Sequence, residues 1–239
     1  MKKRLIIFIV ILLAIIVAFI FLYQNGIFFK KIIGNNGISE GVIEYDITYP
    51  KLDPKNMMVS GMPDKAYLRF KNDNILNDMS GMMGLICITY ISNYTDKSVT
   101  QALNLIGKKY ASNISPDELK QSNESYIAEI TDGKNTQTIA GFKCKESIAK
   151  LKNGENVHVY STDDIMIKNS NWSNPYYKIN GVLMDFQIER YGITMHLVCK
   201  QVLQQKIDDS IFKISSDSSY KKIPFAKLEG ILKELNPSY

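Results

Sequence analysis

Residues 142–160 read FKCKESIAKLKNGENVHVY, and this stretch decides the fold. Two strand-like runs, Phe142 to Leu151 and Val157 to Tyr160, flank Asn153-Gly154. Asx-Gly pairs suit type I′ turns, whose two central residues both need positive φ. The same punctuation recurs on both sides. Asp132-Gly133 follows Tyr126 to Thr131, Asn180-Gly181 leads into Val182 to Arg190, and Tyr191-Gly192 separates that run from Ile193 to Gln204. Strands of roughly eight to twelve residues with turns between them describe a sheet of long antiparallel strands.

Toward the N-terminus the pattern is cleaner still. Ile43, Tyr45, Ile47 and Tyr49 share one face, while Glu44, Asp46 and Thr48 share the other. That is a half-buried strand with one wet side, as antiparallel sheets commonly show. Pro50 and Pro54 end it. Ala66, Leu68 and Phe70 alternate with Tyr67, Arg69 and Lys71 in a second strand, and the mostly apolar Leu85 to Ser92 predicts a more deeply buried one. Helical signals are few. Ser115-Pro116-Asp117-Glu118 combines a capping serine, proline at the first helical position and early acids. Phe225, Leu228, Ile231 and Leu232 recur at helical spacing within Ile223 to Leu235, a C-terminal helix packed on the sheet. Strands and helices do not alternate, which argues against a doubly wound α/β fold. The predicted class is mainly β (α+β): a single antiparallel sheet with a few short helices, plus one N-terminal transmembrane helix.

The transmembrane expectation rests on Leu5 to Tyr23, nineteen residues of which sixteen are Leu, Ile, Phe or Val. At ~1.5 Å rise per residue the run approaches the ~30 Å hydrocarbon core of a bilayer. A cleaved signal peptide, the alternative, closes a shorter apolar stretch with small residues, and Phe19 to Gln24 offers none. Lys2, Lys3 and Arg4 outweigh Lys30 and Lys31, so the positive-inside rule places the N-terminus in the cytoplasm. The expected organisation is an anchor over residues 1–23, a tether over 24–40 and an exported domain over 41–239. The expected location is the inner membrane, single-pass, with the domain in the periplasm; a cleaved, released form is the alternative. The net charge of +5 arises from the five basic residues beside the anchor. The remaining 24 basic residues equal the 24 acidic ones, so the domain lacks the basic surplus a nucleic-acid partner would call for.

No chemistry stands out. Gly37-Ile38-Ser39-Glu40-Gly41 matches G-x-S-x-G, but a nucleophile elbow needs a strand before the serine and a helix after it. Here a tether precedes and a strand follows. His158 and His196 sit in predicted strands without metal-ligand spacing. Cys87, Cys144 and Cys199 are far apart and fit small buried hydrophobes better than disulfide partners. Asp163-Asp164 and Asp208-Asp209 fit turn or cap positions. The sequence therefore predicts no catalytic residue, no metal site and no cofactor. The methionines are more informative, since Met57, Met58, Met62, Met79, Met82 and Met83 cluster in a chain with ten. Flexible thioethers suit surfaces that accept irregular apolar ligands, and they could also bind Cu(I); core filling beneath a loop is the plainer reading. Met57, Met58, Met62, Met82 and Met83 are the candidate ligand-binding residues.

Several segments in order resemble the GLPGLI-type envelope domains common in Bacteroidetes. Thr138-Ile139-Ala140-Gly141-Phe142-Lys143-Cys144-Lys145 is similar to that family's I-x-G-[YF]-x-C-K-K strand. Val157 to Asp163, Gly181-Val182-Leu183-Met184, Asp209 to Ile214 and the opening Gly41 to Tyr45 follow in matching places. Leu183 stands where the family has proline, and an apolar helix replaces the lipidated cysteine of many relatives. The resemblance implies a fold like that of the lipoprotein carrier LolA, a strongly curved antiparallel half-barrel wrapped around helices with a hydrophobic cavity. With it comes the expected function, a membrane-anchored module binding a lipid, acyl chain or other hydrophobic ligand. The alternative is a structural envelope protein docking a protein partner through its sheet.

Overall fold

The computed structural model describes Leu12, residues 37–214 and residues 219–236. Apart from Leu12, the anchor over 1–23 and most of the 24–40 tether lie outside these residues, and among the described ones no helix is long and apolar enough to cross a membrane. Twelve strands form one sheet. They are β1 (Glu40–Thr48), β2 (Lys65–Lys71), β3 (Asn74–Gly81), β4 (Ile86–Asn93), β5 (Ser98–Leu105), β6 (Lys108–Asn113), β7 (Ile127–Ile139), β8 (Phe142–Leu151), β9 (Asn156–Thr162), β10 (Val182–Arg190), β11 (Ile193–Gln204) and β12 (Lys221–Lys222). Their order is β12-β6-β5-β4-β3-β2-β1-β11-β10-β9-β8-β7. The chain thus builds two meanders, β2 to β6 and β7 to β11, and β1 joins them by pairing with both β2 and β11. Every ladder is antiparallel except the short β12–β6 pair.

Three short helices complete the fold: α1 (Met57–Ser60), α2 (Pro116–Glu124) and α3 (Phe225–Glu234). The Ser115 hydroxyl accepts from the Glu118 amide while the Glu118 carboxylate accepts from the Ser115 amide, a reciprocal capping box that starts α2 where the sequence signals it. α2 lies on the connection between the two meanders, which carries it from one end of the sheet toward the other. Helix α3 buries Phe225, Leu228 and Leu232, packing Leu228 and Leu232 on Leu103 of β5. The main core joins Ile43, Tyr45, Phe70, Cys144, Met184 and Leu197 across β1, β2, β8, β10 and β11.

The sheet is strongly curved, and one hydrogen bond demonstrates it. Gln101 of β5 donates through Nε2 to the hydroxyl of Tyr191, in the turn between β10 and β11. β5 and β10 stand six spacings apart in the sheet, which at ~4.8 Å each would be ~29 Å if it were flat. Two side chains cannot bridge that distance. The sheet must curl until its β5 region faces the β10–β11 hairpin.

Two sequence expectations are corrected. Asp132-Gly133 is no hairpin turn, because β7 runs through it to Ile139 with a register shift between Asp132 and Thr136. Glu146 of β8 is the cause. Its carboxylate accepts from the amides of Lys134 and Asn135 and from Asn135 Nδ2, each at 3.0 Å, so the bulge wraps around it. A Cβ on Gly133 would lie 2.3 Å from Glu146 Cγ, which is why glycine stands there. The chain reverses instead at Ala140-Gly141, where both residues have positive φ. The second correction is β4, which is mostly half-buried rather than deeply buried, because it faces a cavity.

Glu146 also gives the fold an acid dependence. It takes a further hydrogen bond from Tyr160 at 3.2 Å and contacts His158 Nδ1 at 2.8 Å. Donation from the Asn135 side chain, then from His158 and the backbone, holds its carboxyl down to about 2. A carboxyl depressed in the folded state stabilises the protein above its unfolded value of ~4.3 and loses that contribution as pH falls toward the folded value. Glu146→Gln is therefore expected to lower the urea midpoint clearly at pH 6 and much less at pH 2.5. An equal loss at both values would contradict this origin.

Candidate functional site

Inside the curl lies a cavity of about 390 Å³, within the ~300–1,000 Å³ range of small-molecule sites. Its walls follow from period-two alternation. Ile88, Tyr90 and Ser92 share one face of β4, Ile193, Met195 and Leu197 one face of β11, and Phe186, Ile188 and Arg190 one face of β10; all nine line it. Tyr45, Leu68 and Met79 add to the apolar lining, and Leu119, Ser122 and Phe225 close it from the helical side. Tyr45 is anchored by donating to the Leu183 carbonyl at 2.8 Å, and its ring meets Phe186 edge to face with centroids 5.9 Å apart. Phe186 stacks edge to face on Tyr176 at 5.9 Å as well. These contacts fix the aromatic wall in one arrangement.

The candidate methionines gather at one end of the sheet but divide by role. Met62 lines the cavity together with Met79 and Pro63. Met57 and Met58 on α1 are exposed, as are Met82 and Met83 in the 3₁₀ turn after β3. The two loops are tied by the Met82 amide donating to the Gly61 carbonyl at 2.7 Å. Met82 and Met83 both adopt positive φ, at 47° and 54°, a conformation uncommon outside glycine and Asn/Asp. Of the five candidates only Met62 is in the cavity lining, most of which comes from strand residues no motif marks. The signal available for those was the apolar row Phe186, Ile188 that ends in Arg190.

The remaining polar candidates have ordinary partners. His196 Nε2 contacts Asp185 Oδ1 at 2.7 Å, and this bond raises the imidazole's affinity for its proton. The three cysteines are free. Burial pushes the Cys144 thiol up to about 11 and the Cys199 thiol up to about 12, so neither is primed as a nucleophile. Ser39 immediately precedes β1, with no helix following it. Among the described residues no group of three or more His, Cys, Asp or Glu side chains is placed to hold a metal ion.

No known family matches the sequence, and no curated protein does. The solved structure of PNGF-II aligns with 82% of this chain at a TM-score of 0.52 and 13% identity. The chain spans only 34% of that protein's length. At that identity the likeness establishes a shared fold and nothing about activity. MucB aligns over 77% of this chain and 60% of its own, at a TM-score of 0.30 and 6% identity, too distant a superposition for any correspondence.

Proposed function

We propose that this chain is an envelope binding module of LolA-like half-barrel form that holds a lipid, an acyl chain or another hydrophobic ligand. The observation that carries the reading is the apolar-walled 390 Å³ space between the curled sheet and α2 and α3. A space of that size lined by Leu68, Ile88, Phe186 and Leu197 gains by exchanging water for an alkyl chain, at ~0.8 kcal/mol per methylene buried. Met62 and Met79 bring adaptable thioethers to the wall, and exposed Met57, Met58, Met82 and Met83 form the apolar approach to it. α2 is a lightly embedded wall, since Asn123 is its one buried residue.

The test is photolabelling of the full chain in membranes with a diazirine-bearing fatty acid, mapped by peptide mass spectrometry. Adducts are expected on cavity residues of β3, β4 and β10. Adducts confined to residues 5–23 would overturn the reading.

In this proposal Leu5 to Tyr23 holds the module to the inner membrane with its domain in the periplasm. Protease added to spheroplasts should then degrade the β domain, and full protection would reverse the orientation. A second reading is favoured by β7, which forms one edge of the sheet and spans 13 residues. Edge strands accept an added strand from a partner. The bulge at Asp132 to Thr136 and the charges Glu129, Asp132 and Lys134 nevertheless guard that edge in the way soluble sheets do. Crosslinking in intact cells separates the readings, because docking through β7 would give a protein adduct on that strand.

A further inference from the structure

We propose that the cavity selects anionic amphiphiles, with Arg190 as the residue that receives the acidic head group. This rests on the apolar-ligand reading and specifies its ligand class. Arg190 ends the row Phe186, Ile188, Arg190 on the cavity face of β10, so alternation delivers a guanidinium to an otherwise apolar wall. A guanidinium carries five N–H donors in a planar fork matched to carboxylate and phosphate. Arg190 uses one of them on protein, donating to Ser122 Oγ of α2 at 2.7 Å. No ion pair joins it to a carboxylate among the described residues, in contrast to Arg69, which pairs with Asp78.

A second, independent observation lies on the facing wall. Ser92 is 1% exposed, lines the same cavity, and its hydroxyl makes no hydrogen bond. An unpaired buried hydroxyl costs ~1–3 kcal/mol, and a ligand oxygen would satisfy it. Tyr90, two residues away on the same strand face, is raised to about 12 by burial, with the nearby Arg190 charge opposing that rise. Tyr191 is raised by burial and opposed by Arg190 in the same way. Arg190 is half-buried, and its charge is near enough to both Tyr90 and Tyr191 to act on them. Glu189, Glu229 and Lys233 also reach the cavity lining, Glu189 and Lys233 of them from exposed positions.

The experiment uses three diazirine probes with one alkyl chain and different heads: carboxylate, alcohol and amine. Each is presented to the full chain in vesicles, and cavity adducts are counted. In the wild type the carboxylate probe should exceed the other two by about tenfold, as a charge-assisted hydrogen bond in a low-dielectric wall warrants. Arg190→Gln should remove that preference, bringing carboxylate labelling to the alcohol level within the same variant, while its circular dichroism spectrum and melting temperature report that it is folded. Should Arg190→Gln fail to fold, the wild-type preference alone decides. Equal cavity labelling by all three heads, or a preference for the amine, overturns the assignment and leaves the apolar-ligand reading standing. No cavity labelling by any probe overturns both.

Discussion

Replacing the cross-strand pair Met79 and Ile88 by tryptophan is expected to cut cavity photolabelling about tenfold or more while the melting temperature moves by only a few degrees. The two residues face each other in the β3–β4 ladder and both line the cavity. Indoles at these positions grow into empty space, so the overpacking that costs ~1–3 kcal/mol in a filled core is largely avoided. The ligand bears the loss. Each methylene denied burial forfeits ~0.8 kcal/mol, so excluding two already amounts to about tenfold. Unchanged labelling with both indoles in place would mean that the acyl chain lies elsewhere.

The largest effect on stability is expected from Leu228→Ala. Leu228 is 0% exposed and is clamped between α3 and Leu103 of β5, itself 0% exposed. Truncating such a leucine removes ~2–5 kcal/mol through lost transfer free energy plus the void left behind. At ~2–4 °C per kcal/mol for a chain of this size, the melting temperature should fall by roughly 4–20 °C. The denaturant midpoint should drop with the m-value unchanged. Because α3 also supplies Phe225 to the cavity wall, ligand labelling should weaken in the same variant. A midpoint equal to wild type would show that α3 is not integral to the domain.

The sequence discloses the sheet where local chemistry and tertiary need coincide. β8 begins at Phe142 and ends at Leu151 as its alternation predicts, and the Asn153-Gly154 turn follows with only Gly154 at positive φ. The capping box at Ser115 is equally local. What misleads is long-range. Asp132-Gly133 has the composition of a hairpin turn but serves a bulge, because the carboxylate of Glu146 on the neighbouring strand takes the amides of Lys134 and Asn135 just after it. Conversely, the tight hairpins at Ile106-Gly107, Ala140-Gly141 and Tyr191-Gly192 carry no Asx residue, and their first positions take positive φ with ordinary side chains.

The cavity is least legible of all. Period-two alternation says that Ile88, Phe186 and Leu197 point inward, but an inward row looks the same whether protein or empty space lies opposite. The curl that decides the matter brings Gln101 to Tyr191, a contact across ninety residues that no local pattern encodes. Arg190 is hidden for a related reason. A basic residue at a strand end usually faces water, and only its phase with Phe186 and Ile188 shows otherwise. Of the candidate methionines, Met62 lies in the cavity wall and Met57, Met58, Met82 and Met83 lie outside it.

In the proposed function the curled sheet holds an acyl-bearing ligand in its cavity. The most direct test of this is to count the lipid bound to the full chain, purified in one detergent alongside the Met79→Trp/Ile88→Trp variant, by native mass spectrometry. Lipid associated with the anchor region is common to both proteins, so the difference isolates the cavity. About one additional acyl-bearing molecule per wild-type chain is the predicted result, and equal lipid content in the two proteins would contradict it.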